Sequence, residues 1–259
     1  MEKLQENKIK FISYGKLAWT EPIVAPPEGY SCDTELFAKI IKEHSIIKPK
    51  TLLHLGCGAG GNDYTFKKYF NVTGIDISRD MLKMAKKINP EVVYHNDDMR
   101  CLKLDKTFDS VAIPDSIGYM VTESDLRCSI FSAYNHLKPG GVLLIVAHTK
   151  EEFRQNNFLY TGSNKDTEIT VFENNYITDL SGNTYEATII YLIRKNYKLK
   201  IYSDIHIIGL FKLQVWLDIF KEFGFEVKQF KLEHSYDRFI LGEGRYPLTV
   251  FACIKPIKQ

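Results

Sequence analysis

Between residues 51 and 148 the apolar positions fall into short β-type runs: Thr51–Leu55, Asn71–Asp76, Val92–His95, Phe108–Ile113 and Val142–His148. Each is bounded by turn residues and too short to read as a helix. The stretches between them change period. Met81, Ala85 and Ile88 recur at helical spacing behind Ser78, and Leu126, Ile130, Ala133, Tyr134 and Leu137 do so behind Thr122-Glu123-Ser124-Asp125, a capping box. Upstream, Leu36, Phe37, Ile40 and Ile41 form one apolar face behind Ser31, and Lys48-Pro49 ends that helix. Asn89-Pro90 and Lys138-Pro139-Gly140-Gly141 mark further helix ends. Strands alternating with helices predict a doubly wound, parallel sheet. The rhythm changes at residues 168–210, where Glu168–Ile177, Thr184–Arg194 and Leu199–Ile208 are β-rich and separated by Asp179–Asn183 and Lys195-Asn196. That pattern predicts a three-stranded antiparallel insert. A helix over Phe211–Phe223, closed by Gly224, and two strands, Phe225–Leu232 and Tyr246–Lys255, follow.

Composition changes this picture little. Of 259 residues, 44% are apolar and 25% charged, with a net charge of +2, so no basic excess points to nucleic acid. Five cysteines, an odd number with no C-x-x-C pair, read as reduced thiols. Residues Met1–Lys10 lack the apolar core of a secretory signal, and the longest apolar run, Val142–Ala147, is far too short to span a bilayer. The expected location is cytoplasmic.

Candidate chemistry collects at the strand ends. The first strand runs into Gly56-Cys57-Gly58-Ala59-Gly60-Gly61, where backbone can approach a ligand closely, and a helix-like stretch, Asn62–Phe70, follows with exposed N–H donors. The turn satisfies G-x-G-x-x-G and so admits a dinucleotide. Asp76 ends the second strand, twenty positions after Gly56, where a carboxylate can accept from both hydroxyls of a ribose. Asp97-Asp98-Met99 ends the third, where a carboxylate suits the exocyclic amine of adenine.

These segments resemble the class I S-adenosylmethionine-dependent methyltransferases. Leu53–Gly60 is similar to their first motif, Gly74–Ser78 with Met81 to the ribose motif, Asp97-Asp98-Met99 to the adenine motif, and Leu137–Gly141 to the turn before their fifth strand. The resemblance implies an α/β fold with a doubly wound, Rossmann-like, seven-stranded, mostly parallel sheet. An antiparallel β insert precedes the last helix. Residues 1–150 would hold the N-terminal segment and cofactor-binding core, 151–210 the insert and 211–259 the closing helix and strands. It implies a cofactor site of Tyr14, Leu55, Gly56, Cys57, Gly58, Gly60, Asp76, Ile77, Met81, Asp97, Asp98, Met99, Pro114 and Ile117. The glycine turn would pack on the methionine end of S-adenosylmethionine, and S-adenosylhomocysteine would be the product. The insert resembles that of small-molecule enzymes such as amino-sugar N-methyltransferases, where it covers the acceptor or makes a dimer contact. One position departs from the pattern: His54 stands where the family usually carries Asp or Glu. As a strand residue it is expected to be hydrogen-bonded to backbone.

The expected reaction is in-line methyl transfer to nitrogen or oxygen of a small molecule, with no metal. Asp115, His148 and Tyr119 are the candidate catalytic residues, with Tyr14 and His206 as further polar groups near the pocket. Neither nucleic acid nor membrane is expected as a partner, and the chain is expected to be a monomer or a homodimer through the insert. Two alternatives remain: a nicotinamide-dependent oxidoreductase, and a non-catalytic S-adenosylmethionine-binding module. Methylation of a nucleic acid or protein fits less well, since no basic groove and no Asn-Pro-Pro-Tyr-like tetrapeptide follow the fourth strand.

Overall fold

A computed structural model of the chain describes residues 11–257. Residues Met1–Lys10, expected not to form a signal, lie outside the described residues.

The central sheet is built from β1 (Thr51–Leu55), β2 (Asn71–Asp76), β3 (Val93–Asn96), β4 (Phe108–Pro114), β5 (Leu137–Ala147), β10 (Glu226–Leu232) and β11 (Leu248–Ile254). Its order is β10-β11-β5-β4-β1-β2-β3, with β11 antiparallel to both neighbours and the other pairings parallel. Both faces are covered, which is why the strands read as nearly continuous apolar runs. Leu52, Ala112, Leu144 and Val250 pack under α2 (Ser31–His44) and α4 (Arg79–Ile88). Leu53, Val111, Ile145 and Phe251 pack under α5 (Glu123–His136) and α6 (Leu213–Glu222). Two expected caps are in place: Ser78 Oγ accepts from the Met81 N–H, and Thr122 Oγ1 from the Asp125 N–H, each at 3.0 Å. Ser31 is not a cap: it is the first residue of α2, Tyr30 before it makes no side-chain capping bond, and Ser31 Oγ lies 3.0 Å from Thr65 Oγ1. A short helix, α1 (Glu21–Val24), lies in the N-terminal segment. Strand order reverses between β1 and β4, so the ligand crevice of such a sheet opens there.

Two elements depart from the sequence reading. The stretch 62–70 is not a full helix: α3 (Asp63–Phe66) is a single turn that continues as tight turns, with Lys68 and Tyr69 N–H groups bonded three residues back. The insert has four strands, in the order β6-β7-β8-β9: β6 (Asn156–Asn164), β7 (Thr167–Tyr176), β8 (Thr184–Lys195) and β9 (Lys198–Gly209). The sequence of β6, NNFLYTGSN, carries little strand propensity. Its pairing with β7, in register from Asn156↔Asn175 to Asn164↔Thr167, makes it a strand. Gly162 permits α1 to approach, since a Cβ there would stand 2.0 Å from the Ile23 carbonyl oxygen.

Candidate active site

The C-terminal ends of β1, β2, β3 and β4 open onto a cavity of about 530 Å³, roofed by residues of the N-terminal segment and closed at one side by Tyr236 and Leu248. Gly56 and Gly58 form its floor, both in the left-handed region at φ of 69° and 54°. A Cβ on Gly56 would stand 2.2 Å from Ser116 Oγ, so only glycine lets β1 and the residues after β4 meet. Asp76 fixes the turn from below. Its Oδ2 accepts from the Gly58 N–H at 2.8 Å and its Oδ1 from the Ser78 N–H at 2.7 Å. Burial raises the Asp76 pKa, against those two donors.

Beneath the turn, His54 is buried, and its partner is a side chain rather than the expected backbone group. Its Nδ1 lies 2.6 Å from Asp63 Oδ1, Tyr94 Oη donates to Asp63 Oδ2 at 2.9 Å, and Asn89 Nδ2 donates to the Gly60 carbonyl. This cluster braces Gly60, where a Cβ would come within 2.7 Å of Asn89 Nδ2.

Of the residues expected at the cofactor, Tyr14, Gly56, Cys57, Gly58, Asp76, Ile77, Met81, Asp97, Asp98, Met99 and Pro114 line the cavity. Leu55, Gly60 and Ile117 do not. Leu55 and Ile117 are fully buried in the core beneath α5, and Gly60 faces the Asn89–Tyr94 cluster. Asp98 carries a partner that the sequence did not indicate: Arg100 Nη2 donates to Asp98 Oδ2 at 2.6 Å, and its Nη1 to Asp125 Oδ1 at 3.1 Å. Three donors of the glycine turn are already used. The Cys57 N–H bonds the Ile75 carbonyl, Gly58 bonds Asp76, and Gly60 bonds the Cys57 carbonyl. With α3 only one turn long, little remains to cradle a pyrophosphate.

Asp115 and Tyr119 line the cavity, and His148 does not. His148 follows β5 and is packed against Phe153, Tyr185 and Tyr246. Burial drives its pKa down to about 4, so it is a neutral core residue at neutral pH. Asp115 has φ of 68°, an uncommon backbone state for a non-glycine residue. Its carboxylate makes no hydrogen bond among the described residues. It is open to the cavity but enclosed by protein, and that enclosure raises its pKa.

The aromatic N-terminal segment is expected to be able to fold over a cofactor mouth, but the sequence reading did not single out its acidic residues. Glu21, Tyr30 and Asp33 also line the cavity, and Tyr30 Oη donates to Glu21 Oε1 at 2.8 Å. It also missed Glu173, on the inward face of β7 in line with Ile169 and Val171, close enough to Asp115 for their charges to interact. Burial pushes the Glu173 carboxyl up to about 7. A carboxylate at an inward-facing strand position was the signal available. Among the described residues lining the cavity, Arg100 is the one cation, set against Glu21, Asp33, Asp76, Asp97, Asp98 and Asp115.

The chain has the class I S-adenosylmethionine-dependent methyltransferase fold, and residues 52–141 match the methyltransferase domain family. Two solved structures share the fold across most of the chain. They are Streptomyces venezuelae DesVI (TM-score 0.74, 22% identity, 93% of this chain and 95% of that one) and the sugar N-methyltransferase KedS8 from Streptoalloteichus (TM-score 0.75, 18% identity, 88% of each). Among curated proteins, dTDP-3-amino-3,4,6-trideoxy-α-D-glucopyranose N,N-dimethyltransferase of Streptomyces venezuelae is 32% identical over 120 residues, 46% of this chain and 50% of that protein. The chain thus spans about half the length of the curated relatives it matches. No helix among the described residues is long and apolar enough to cross a membrane.

Proposed function

We propose that the chain transfers a methyl group from S-adenosylmethionine to the nitrogen of a small amine. The observation that carries this reading is Asp115, an unpartnered carboxylate held on left-handed backbone beside the glycine turn, in a cavity whose other charged groups are mostly acidic. Such a site attracts a cation and repels an acidic acceptor.

The residues present fit the cofactor. Asp76 is set to accept the ribose hydroxyls, Asp97, Asp98 and Met99 lie at the adenine end, and Gly56–Gly58 leave room for the methionine end. When bound, S-adenosylmethionine supplies a methyl group already activated by its sulfonium. What remains for the protein is alignment and exclusion of water. Asp115 can hold one N–H of the acceptor and so turn the nitrogen lone pair toward the methyl carbon. The insert and the N-terminal roof close the cavity around it. The pyrophosphate of a nicotinamide cofactor would find the Cys57, Gly58 and Gly60 N–H groups already bonded.

The curated relative above is named for an amino sugar carried on a nucleotide, which makes that compound a first acceptor to try. The full chain is incubated with methyl-labelled S-adenosylmethionine and either dTDP-3-amino-3,4,6-trideoxyglucose, simple amino sugars, or the matching hydroxy sugars. Label is expected on nitrogen, with Asp115→Asn lowering kcat/KM at least tenfold. Transfer to the hydroxy sugars alone, or no S-adenosylhomocysteine from any amine, would overturn the reading.

A further inference from the structure

A chain of side chains leads from the cavity into the insert. Tyr14 Oη and Tyr119 Oη, both at the cavity wall, lie 2.5 Å apart. Tyr119 Oη lies 2.8 Å from His206 Nδ1, and His206 Nε2 lies 3.0 Å from Asp204 Oδ2. The same Asp204 oxygen accepts from the Ser13 N–H at 2.8 Å and from Ser13 Oγ at 2.7 Å. Asp204 and His206 occupy inward positions of β9, where the neighbouring Ile208 is apolar, and both are buried. Nothing in the packing of β9 calls for a buried acid and a buried imidazole there.

The polarity of this chain follows from its far end. Burial acts against the Asp204 charge, but the Ser13 and His206 donors hold its carboxyl below the ordinary range, so it is ionised and accepts only. His206 Nε2 therefore carries the hydrogen, leaving Nδ1 as an acceptor. Tyr119 donates to Nδ1, and Tyr14 donates to the Tyr119 oxygen. The lone pairs of Tyr14 Oη are then left facing the cavity. Burial lowers the His206 pKa and only Asp204 raises it, so the imidazole is neutral at pH 7 and its Nδ1 lone pair is there to accept. The other groups around the chain are Phe11, whose ring lies 4.1 Å from that of His206, and Asp115, Glu21 and Tyr191, whose charges act on Tyr14.

We propose that Tyr14, Tyr119, His206 and Asp204 form a proton relay that removes the proton of the methylated nitrogen from the cavity. The proposal rests on the amine reading above. As the nitrogen–carbon bond forms, the carbon–sulfur bond breaks with its electron pair on sulfur. The acceptor nitrogen is then an ammonium. Its proton passes to Tyr14 Oη while the Tyr14 hydrogen moves to Tyr119 Oη and the Tyr119 hydrogen to His206 Nδ1. The resulting imidazolium faces the Asp204 carboxylate. Tyr14 touches the acceptor. Tyr119, His206 and Asp204 act through it and are positioning residues. The product leaves as a neutral amine, with its lone pair available for a second methyl group.

Two measurements test the relay. The first needs no acceptor: nitrogen NMR of the histidine-labelled full chain, with the His206 signals assigned by their loss in His206→Gln. At pH 7 the relay requires neutral His206 with hydrogen on Nε2 and an Nδ1 that responds to Tyr119→Phe. Hydrogen on Nδ1, or an imidazolium at pH 7, would overturn it. The second is steady-state turnover of an amine that the parent protein methylates. His206→Gln and Asp204→Asn should lower kcat about a hundredfold at pH 7, leave the dissociation constant of S-adenosylmethionine within twofold, and approach the parent as pH rises above about 9 and bulk base takes over. Unchanged kcat, or loss confined to KM and cofactor affinity, would overturn the relay and leave a packing role. If no amine is turned over while the NMR result stands as expected, the amine reading fails and the hydrogen-bond polarity survives it.

Discussion

Asp76→Asn is a sharp perturbation because both Asp76 oxygens are already assigned. Oδ2 accepts from the Gly58 N–H and Oδ1 from the Ser78 N–H. An asparagine keeps the volume but must turn its amide NH2 toward one of those two donors, leaving a buried N–H facing another. Losing one charge-assisted bond of this kind costs about 1.5–3 kcal/mol. In the free protein that amounts to a fall in Tm of about 3–12 °C, at about 2–4 °C per kcal/mol. In the complex a ribose hydroxyl that donated to the carboxylate loses its acceptor too. A second loss of about 1.5–3 kcal/mol corresponds to about a 10- to 150-fold weaker dissociation constant. The assay pairs thermal unfolding of the ligand-free chain with calorimetric titration of S-adenosylmethionine and S-adenosylhomocysteine. Both ligands should weaken together, since they share the ribose. A variant that binds both within threefold of the parent would refute the placement of the ribose on Asp76, whatever its Tm.

Two further outcomes follow from buried carboxyls. Glu173, raised to about 7 by burial, is less readily ionised in the fold than in the unfolded chain. Stability should therefore fall as pH rises from about 4.5 to about 7, and Glu173→Gln should flatten that fall in urea unfolding at pH 5 and pH 8; an equal fall in both proteins would refute it. Asp109 is the opposite case. Although burial opposes it, Lys138 Nζ at 2.7 Å and the Lys50 and Thr51 donors hold its carboxyl at about 2. Its contribution should be complete above about pH 4 and be lost as pH falls toward 2. Asp109→Ala should cost about 2–3 kcal/mol at pH 7 and lack that acid limb.

Much of the core was legible because it is locally written. The parallel strands β1, β2, β4 and β5 are largely buried, α4 and α5 carry their own caps, and Asp76 closes β2 with Asp98 two residues beyond β3. What a strand end does not reveal is whether the residue after it reaches the cavity or is enclosed by its neighbours. His148 and Ile117 both follow strands of the crevice, yet His148 packs among Phe153, Tyr185 and Tyr246 and Ile117 lies in the core. The glycine turn hid a similar ambiguity, since Gly60 answers to Asn89 and Tyr94 and not to the ligand. The roles of Glu173, Asp204 and His206 depend on the register of the insert and on how its sheet meets the N-terminal segment, a juxtaposition that no local pattern encodes. β6 was missed for the related reason that its pairing, and not its own composition, makes it a strand.

The central claim is that the cavity above β1, β2 and β4 holds S-adenosylmethionine. Isothermal titration of the full chain with S-adenosylmethionine, S-adenosylhomocysteine and NAD tests it most directly. One-to-one binding of the first two and no binding of NAD is the expected result. Heat from NAD alone, with none from either sulfur compound, would contradict it.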